Sequence, residues 1–400
     1  MKPKISFKGF KEPWEVSTLR NFFSKVNEKN ARMLYSAVLT NSAEYGIIDQ
    51  RDYFDFDVAN SNNISGYYIV QPDDFVYNPR VSVTAPVGPI NKNELGYIGV
   101  MSPLYLVFKI NGINKDYLCH YFKSNKWHKF MRISGNCGAR FDRLSISDEQ
   151  FVQMPIPYPI NSKEQQTICN YLEKIDKLIS TASSRLASLK QVKEASLQAM
   201  FPQKGETVPK IRFKGFEGEW VITKAAEIFK TVNERNFSGL PVLSATQDKG
   251  MVTRDSIGYN IFHEKSNEST YKHIVPGQFV MHLRSFQGGF AHSAIEGICS
   301  PAYTIMEFKD KEKNHDLYWK YVLTSKRFIK SLEMITYGIR DGRTISFDEF
   351  KEMVFLVPKV EEQQQIASYF TSLDKQIALQ MQRLEKLRQI KAACLDKMFV

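Results

Sequence analysis

The chain has 400 residues, 43% of them hydrophobic and 13% aromatic, enough to fill two sizeable cores. Its 54 Lys and Arg against 43 Asp and Glu leave a formal charge of +11, which favours polyanionic partners and makes nucleic acid the leading one. No apolar run approaches a membrane span, and Met1-Lys2-Pro3-Lys4 leads into no signal-like stretch. Five scattered cysteines without a C-x-x-C pair (Cys119, Cys137, Cys169, Cys299, Cys394) read as reduced thiols of a cytoplasmic protein with no zinc site.

In chain order, the first segment is Pro3-Lys4-Ile5-Ser6-Phe7-Lys8-Gly9-Phe10, followed by Trp14. Short alternating apolar stretches over 65–69, 75–77 and 104–110 predict strands, and 115–130 predicts a helix. A Gly-rich stretch carrying Arg140 and Arg143 occupies 134–143, and Arg80 follows a Pro-x-x-Phe-Val frame that begins at Pro72. Pro155, Pro157 and Pro159 then stop the module, Asn161 or Ser162 caps a long helix, and Glu164 complements the helix dipole. Apolar residues at Ile168, Leu172, Ile175, Ile179, Ala182, Leu186 and Leu189 alternate steps of four and three, a heptad seam interrupted by Lys193.

The chain then repeats itself. Pro209-Lys210-Ile211-Arg212-Phe213-Lys214-Gly215-Phe216 and Trp220 restate the opening segment at an offset of 206, and Pro276, Phe279, Val280 and Arg284 restate the Pro-x-x-Phe-Val frame at 204. Segments around Ile274, 279–283 and 304–308 predict strands, 316–332 a helix, and a second Gly-Arg stretch at 337–344 carries Arg340 and Arg343. The last helix, from Glu362-Gln363-Gln364 to Met398-Phe399, matches Glu164-Gln165-Gln166 to Met200-Phe201 at an offset of 198, with 17 of 38 positions identical. Its seam runs Ile366, Phe370, Leu373, Ile377, Leu384 and Leu387, with a polar Gln380 and an interrupting Lys391. Between about 85–135 and 290–335 no register is evident, so the copies share a frame and differ in content. A duplicated unit of this kind builds a pseudo-two-fold molecule, and its two long helices are expected to pair antiparallel.

These features divide the chain into a module over 1–160, a helix over 161–201, a linker over 202–208, a second module over 209–359 and a second helix over 360–400. The expected class is α+β, two pseudo-two-fold-related modules separated by an antiparallel coiled-coil pair. Catalytic signatures are missing: there is no phosphate loop, no Gly-rich cofactor fingerprint and no Asn/Asp-Pro-Pro-aromatic tetrapeptide, for which Asn78-Pro79-Arg80 is a poor substitute. Arginine on a glycine-supported loop can grip guanine or phosphate. It can equally pair with a neighbouring Asp142 or Asp341 as a turn lock.

The order of module, Glu-Gln-Gln helix, module and Glu-Gln-Gln helix resembles the specificity subunit of Type I restriction-modification systems. The resemblance spans essentially the whole chain. It implies a non-catalytic subunit that binds double-stranded DNA, each target-recognition domain reading one half of a bipartite asymmetric site, with Arg80, Arg140, Arg143, Arg284, Arg340 and Arg343 as candidate contacts. It also implies that the helices set the spacer and dock two methyltransferase subunits, which two motor-nuclease subunits join. No cofactor is expected on this chain: S-adenosylmethionine belongs to the methyltransferase partner, and ATP and Mg to the motor. A non-catalytic coiled-coil scaffold, or a stand-alone DNA-modifying enzyme with an unrecognised active site, remains open from the residues alone.

Overall fold

The computed structural model describes residues 1–53, 61–137, 142–246, 248–257, 265–281, 290–332 and 346–400. Two compact units emerge, Met1–Ser184 with Gln382–Val400 and Arg185–Met381. Each holds one α+β module, half of the first long helix, Ser162–Ala199, and half of the second, Val360–Met398.

In the first unit the module's outer ladder pairs Glu15–Thr18 with Pro155–Tyr158. The antiparallel four-stranded sheet runs, in spatial order, Phe23–Lys25, Leu106–Ile110, Phe75–Tyr77 and Ile90–Lys92. Two further antiparallel ladders, the hairpin Leu39–Ser42 with Gly46–Asp49 and the pair Tyr68–Val70 with Gly99–Met101, meet at a parallel bridge between Val38 and Val100. The second unit repeats the outer ladder with Val221–Lys224 and Val354–Val357. Its four-stranded sheet takes the same order: Phe229–Val232, Thr304–Phe308, Phe279–Met281, Ala291–His292. Its remaining strands join into one sheet through the parallel pairing of Val242 with Ile298. A glycine sits at the same crowded spot in both. A Cβ on Gly99 would stand 2.5 Å from Leu39 Cγ, and one on Gly297 would stand 2.7 Å from Leu243 Cγ.

Two sequence expectations change. The first predicted strand starts only at Tyr68, because Ser61–Gly66 winds into a 3-10 helix. Each predicted module helix is two helices: Lys115–Phe122 then His128–Ser134, and Asp316–Leu323 then Lys326–Leu332. Hydroxyls cause the breaks by competing for backbone groups. Ser124 Oγ donates to Tyr121 O at 2.6 Å, and Trp127 Nε1 donates to the carbonyls of Phe122 and Ser124, both at 3.0 Å. In the second copy Thr324 Oγ1 donates to Lys320 O at 2.6 Å and Ser325 Oγ to Val322 O at 2.8 Å.

The long helices run antiparallel within each unit. In the first, Asp176 pairs with Lys391 while Tyr171 bonds Cys394; in the second, Asp374 pairs with Lys193 while Tyr369 Oη lies 2.9 Å from Ser196 Oγ. Both sets are the same positions at the offset of 198. The lysines that interrupt the seam are therefore ion-paired to the facing helix. All the apolar seam side chains are buried or half-buried, and Gln380 is only 8% exposed.

The repeated opening segment clamps the end of a helix. Ile5 N donates to Lys397 O at 3.0 Å, and Ile211 N to Ala199 O at 2.9 Å. Trp14 meets Tyr117 and Phe399 edge-on or tilted, as Trp220 meets Tyr318 and Phe201. One substitution redirects the charge beneath. Trp14 Nε1 donates to the buried Glu164 at 3.1 Å. In the second unit Arg212, where the first has Ser6, takes Glu362 bidentately at 2.7 and 2.8 Å, and the buried Trp220 Nε1 finds no acceptor. Arg212→Ala should then strand a buried carboxylate and cost about 3–5 kcal/mol in a denaturant melt. Adding Glu362→Gln should recover part of that loss, since a neutral amide tolerates burial and can accept from Trp220.

The structure also supplies a register across part of the segments that the sequence leaves unaligned. Asn114 and His315 occupy equivalent places ahead of their helices, each donating its backbone N–H to the second residue of a Glu-Gln-Gln triplet. His120 then corresponds to Tyr321. Tyr321 Oη donates to Asp374 at 2.8 Å, whereas the shorter His120 leaves a cavity of about 210 Å³ bordered by Glu173 and Asp176. Burial, with Lys123 adding to it, pushes the His120 imidazole down to about 4. The folded ring stays neutral while the unfolded ring gains a proton below its ordinary 6.5, so this stability is complete above pH 6.5 and declines as pH falls toward 4. His120→Tyr should fill the cavity, raise the melting temperature by roughly 2–4 °C and flatten that decline in a pH series of thermal melts.

Candidate nucleic-acid interface

Arg80 and Arg143, 63 residues apart in the chain, are brought face to face by an antiparallel backbone bridge. Val81 N donates to Asp142 O and Leu144 N to Pro79 O, both at 2.9 Å, so the 79–81 segment zips onto 142–144. Beside this bridge, Asn136–Cys137 pairs antiparallel with Leu144–Ser145. Asp142 lies 3.8 Å from Arg80 Nε, with both side chains at least half exposed, a contact too weak to neutralise the pair. The bridge thus sets two guanidinium-bearing residues opposite one another, with the Asp142 carboxylate beside Arg80.

An amide network around the buried Asn41 aims this segment. Asn41, 2% exposed, donates from Nδ2 to Val76 O at 2.7 Å and accepts at Oδ1 from Asn91 Nδ2 at 2.7 Å. Its backbone carbonyl accepts from Asn78 Nδ2 at 3.0 Å, and Asn78 Oδ1 in turn accepts from Arg80 N at 3.0 Å. Gly88, at φ +81°, closes over this turn: a Cβ there would lie 2.1 Å from Asn78 O. The Asn-Pro-Arg tripeptide is thus an Asx turn that presents an arginine. Sequence reasoning had no periodic signal for Asn41 or Asn91; the Asn-Pro step was the visible clue. Arg143 also lines a cavity of about 350 Å³ together with Lys25, Tyr68, Leu104 and Tyr105.

Arg140, Arg284, Arg340 and Arg343 lie outside the described residues, so among the six candidate arginines the structure brings together Arg80 and Arg143. The seam residues Ile168, Leu172, Ile175, Ile366, Phe370 and Leu373 are buried against their own modules, while Ile179, Leu186, Leu189 and Ile377 are half-buried. Leu384 is buried and Leu387 half-buried. Among the described residues no group of three or more His, Cys, Asp or Glu side chains could hold a metal ion, and no helix is long and apolar enough to cross a membrane.

The family model for the Type I restriction modification DNA specificity domain matches the chain twice, over residues 11–191 and 217–389. The Type I restriction-modification system S subunit from M. genitalium superposes with a TM-score of 0.60 at 12% identity, covering 100% of this chain and 99% of that one. A chain from a structural study of complex assembly and conformational transition of the type I R-M system gives 0.52 at 14% identity, covering 97% and 98%. These likenesses show the shared fold, and the matched domains span most of the sequence. The chain belongs to the DNA specificity subunits of Type I restriction-modification systems, which recognise DNA and are themselves non-catalytic.

Proposed function

We propose that each module reads one half of a bipartite, asymmetric DNA site, and that in the first half-site Arg80 and Arg143 supply contacts. The observation that carries this is their juxtaposition across a backbone bridge, on a segment held by an amide network around the buried Asn41. Arginines held side by side there can grip a phosphate or a guanine edge. Arg140, and Arg284, Arg340 and Arg343 in the second module, extend the same role. The division over 1–160, 161–201, 202–208, 209–359 and 360–400 then separates two reading heads from the two helices and the linker. The duplicated frame holds the heads and the private segments differ, which suits an asymmetric site.

The helices act as the spacer, and their outward face docks two methyltransferase subunits. Exposed apolar residues along the helices, including Leu178, Leu379 and Met381, support that role. S-adenosylmethionine belongs to those subunits, and ATP with Mg to two motor-nuclease subunits that complete a cytoplasmic assembly.

In the assembled methyltransferase, at least one of Arg80→Ala and Arg143→Ala should relax discrimination at one base of a single half-site. A lost bidentate guanine contact costs about 1–3 kcal/mol. A variant that loses a phosphate contact should instead weaken all sequences alike and flatten the salt dependence. Methylation of single-base site variants at several salt concentrations separates these outcomes, and wild-type values for both variants would remove this segment from the interface. The purified single chain should transfer no methyl group from S-adenosylmethionine. Methyl transfer by it would overturn the division of labour.

A further inference from the structure

The second residue of each Glu-Gln-Gln triplet is buried, Gln165 at 5% exposure and Gln363 at 0%, and every polar atom of each amide is used. Gln165 Oε1 accepts from Asn114 N at 3.0 Å while its Nε2 donates to Pro159 O at 2.8 Å. Gln363 Oε1 accepts from His315 N at 2.9 Å while its Nε2 donates to Pro358 O and Lys313 O, both at 3.0 Å. One amide thus ties together three pieces: the first turn of a long helix, the proline segment that enters it, and the N-terminal end of the module's own helix. Asn114 is that helix's N-cap, accepting from Asp116 N and Tyr117 N, so the tie continues into the buried face carrying Tyr117.

The chemistry demands glutamine. The position needs an acceptor and a donor on one planar head at four-bond reach, which a glutamate cannot supply for want of a donor and an asparagine cannot reach. A buried amide bonded at both its oxygen and its nitrogen is directional in a way that the surrounding apolar contacts are not, since hydrophobic packing tolerates a module rolling on its helix and a hydrogen-bonded latch does not. The neighbouring glutamates do not share this constancy: Glu164 accepts from a tryptophan and Glu362 from an arginine. Of the two buried triplet residues, only the glutamine keeps one pattern in both units, accepting a backbone N–H from the module and donating to a proline carbonyl.

We infer that Gln165 and Gln363 are positioning residues that set the angle of each reading module on its spacer helix, and with it the number of base pairs tolerated between the half-sites. This rests on the reading above, in which the modules recognise half-sites and the helices space them. If a module tilts, its reading segment shifts along the duplex, and one base pair corresponds to only about 3.4 Å.

The test uses the full chain assembled with its methyltransferase partners and duplexes that keep both half-sites while the spacer is lengthened or shortened by one and two base pairs. Gln165→Met and Gln363→Met remove the latch. Gln165→Glu and Gln363→Glu keep the acceptor and lose the donor, a second route should a methionine variant fail to assemble. Val280→Ala, in the sheet core away from both latches, serves as a control for general destabilisation. The latch variants should lower the preference for the natural spacer over its neighbours by on the order of fivefold or more, the equivalent of one or two lost hydrogen bonds, with base discrimination inside each half-site kept. A uniform fall in methylation on every spacer, or an equal broadening in Val280→Ala, would make the glutamines merely structural and overturn the inference. A wild-type assembly indifferent to spacer length would remove the reading on which it rests; a discriminating wild type with unchanged latch variants would remove this inference alone.

Discussion

The structure depends on burying the first turns of one long helix against the last turns of the other, beside a module that neither helix could hold alone. A helix of 38 or 39 residues with so narrow an apolar stripe gains little by itself. In each unit the stripe is covered from two sides, by the facing helix and by the aromatic cluster around Trp14 or Trp220. The ion pairs of Asp176 with Lys391 and Asp374 with Lys193 fix the register at which this happens. Because partly buried charges that lose a partner cost more than they contribute when paired, these contacts act chiefly against slipped alternatives.

Duplication lets each unit serve as a control for the other. Where residues match, the same bonds recur: the clamp by Ile5 and Ile211, the glutamine amides, the aspartate–lysine pairs. Where they differ, the local chemistry is rewritten without moving the frame. Arg212 in place of Ser6 captures the buried glutamate and leaves a tryptophan N–H unsatisfied, and His120 in place of a tyrosine opens a cavity. Such differences accumulate because a frame held by many redundant contacts survives the loss of one.

The frame was legible in the sequence because its signals are long and periodic. Seventeen identities at a constant offset and two heptad seams announce two equivalent helices, and antiparallel pairing follows from the duplication. The module strands at Phe75–Tyr77 and Thr304–Phe308 stand where alternation and β-branching place them. What stayed hidden was local competition. The hydroxyls of Ser124 and Thr324 end helices that apolar periodicity carries onward, and no propensity argument weighs one serine against a turn of helix with enough precision. The register between Asn114 and His315 was equally invisible, because the bond that defines it uses a backbone N–H and leaves no mark on residue type.

The segment proposed to read DNA is the extreme case of that limit. Arg80 and Arg143 were candidates separately, from glycine and proline context, yet nothing in the chain indicates that they are neighbours. Their meeting is arranged by Asn41, Asn78, Asn91 and Gly88, residues of three separate strands and turns whose amides close on one another. Polar networks of this type are specified by three-dimensional satisfaction, each donor needing its acceptor within about 3 Å. A surface that must change its DNA target while the scaffold stays constant is best built in this way. These amides hold the arginine backbone through contacts independent of the guanidinium groups, so the side chains presented outward can be exchanged without disturbing the support beneath them.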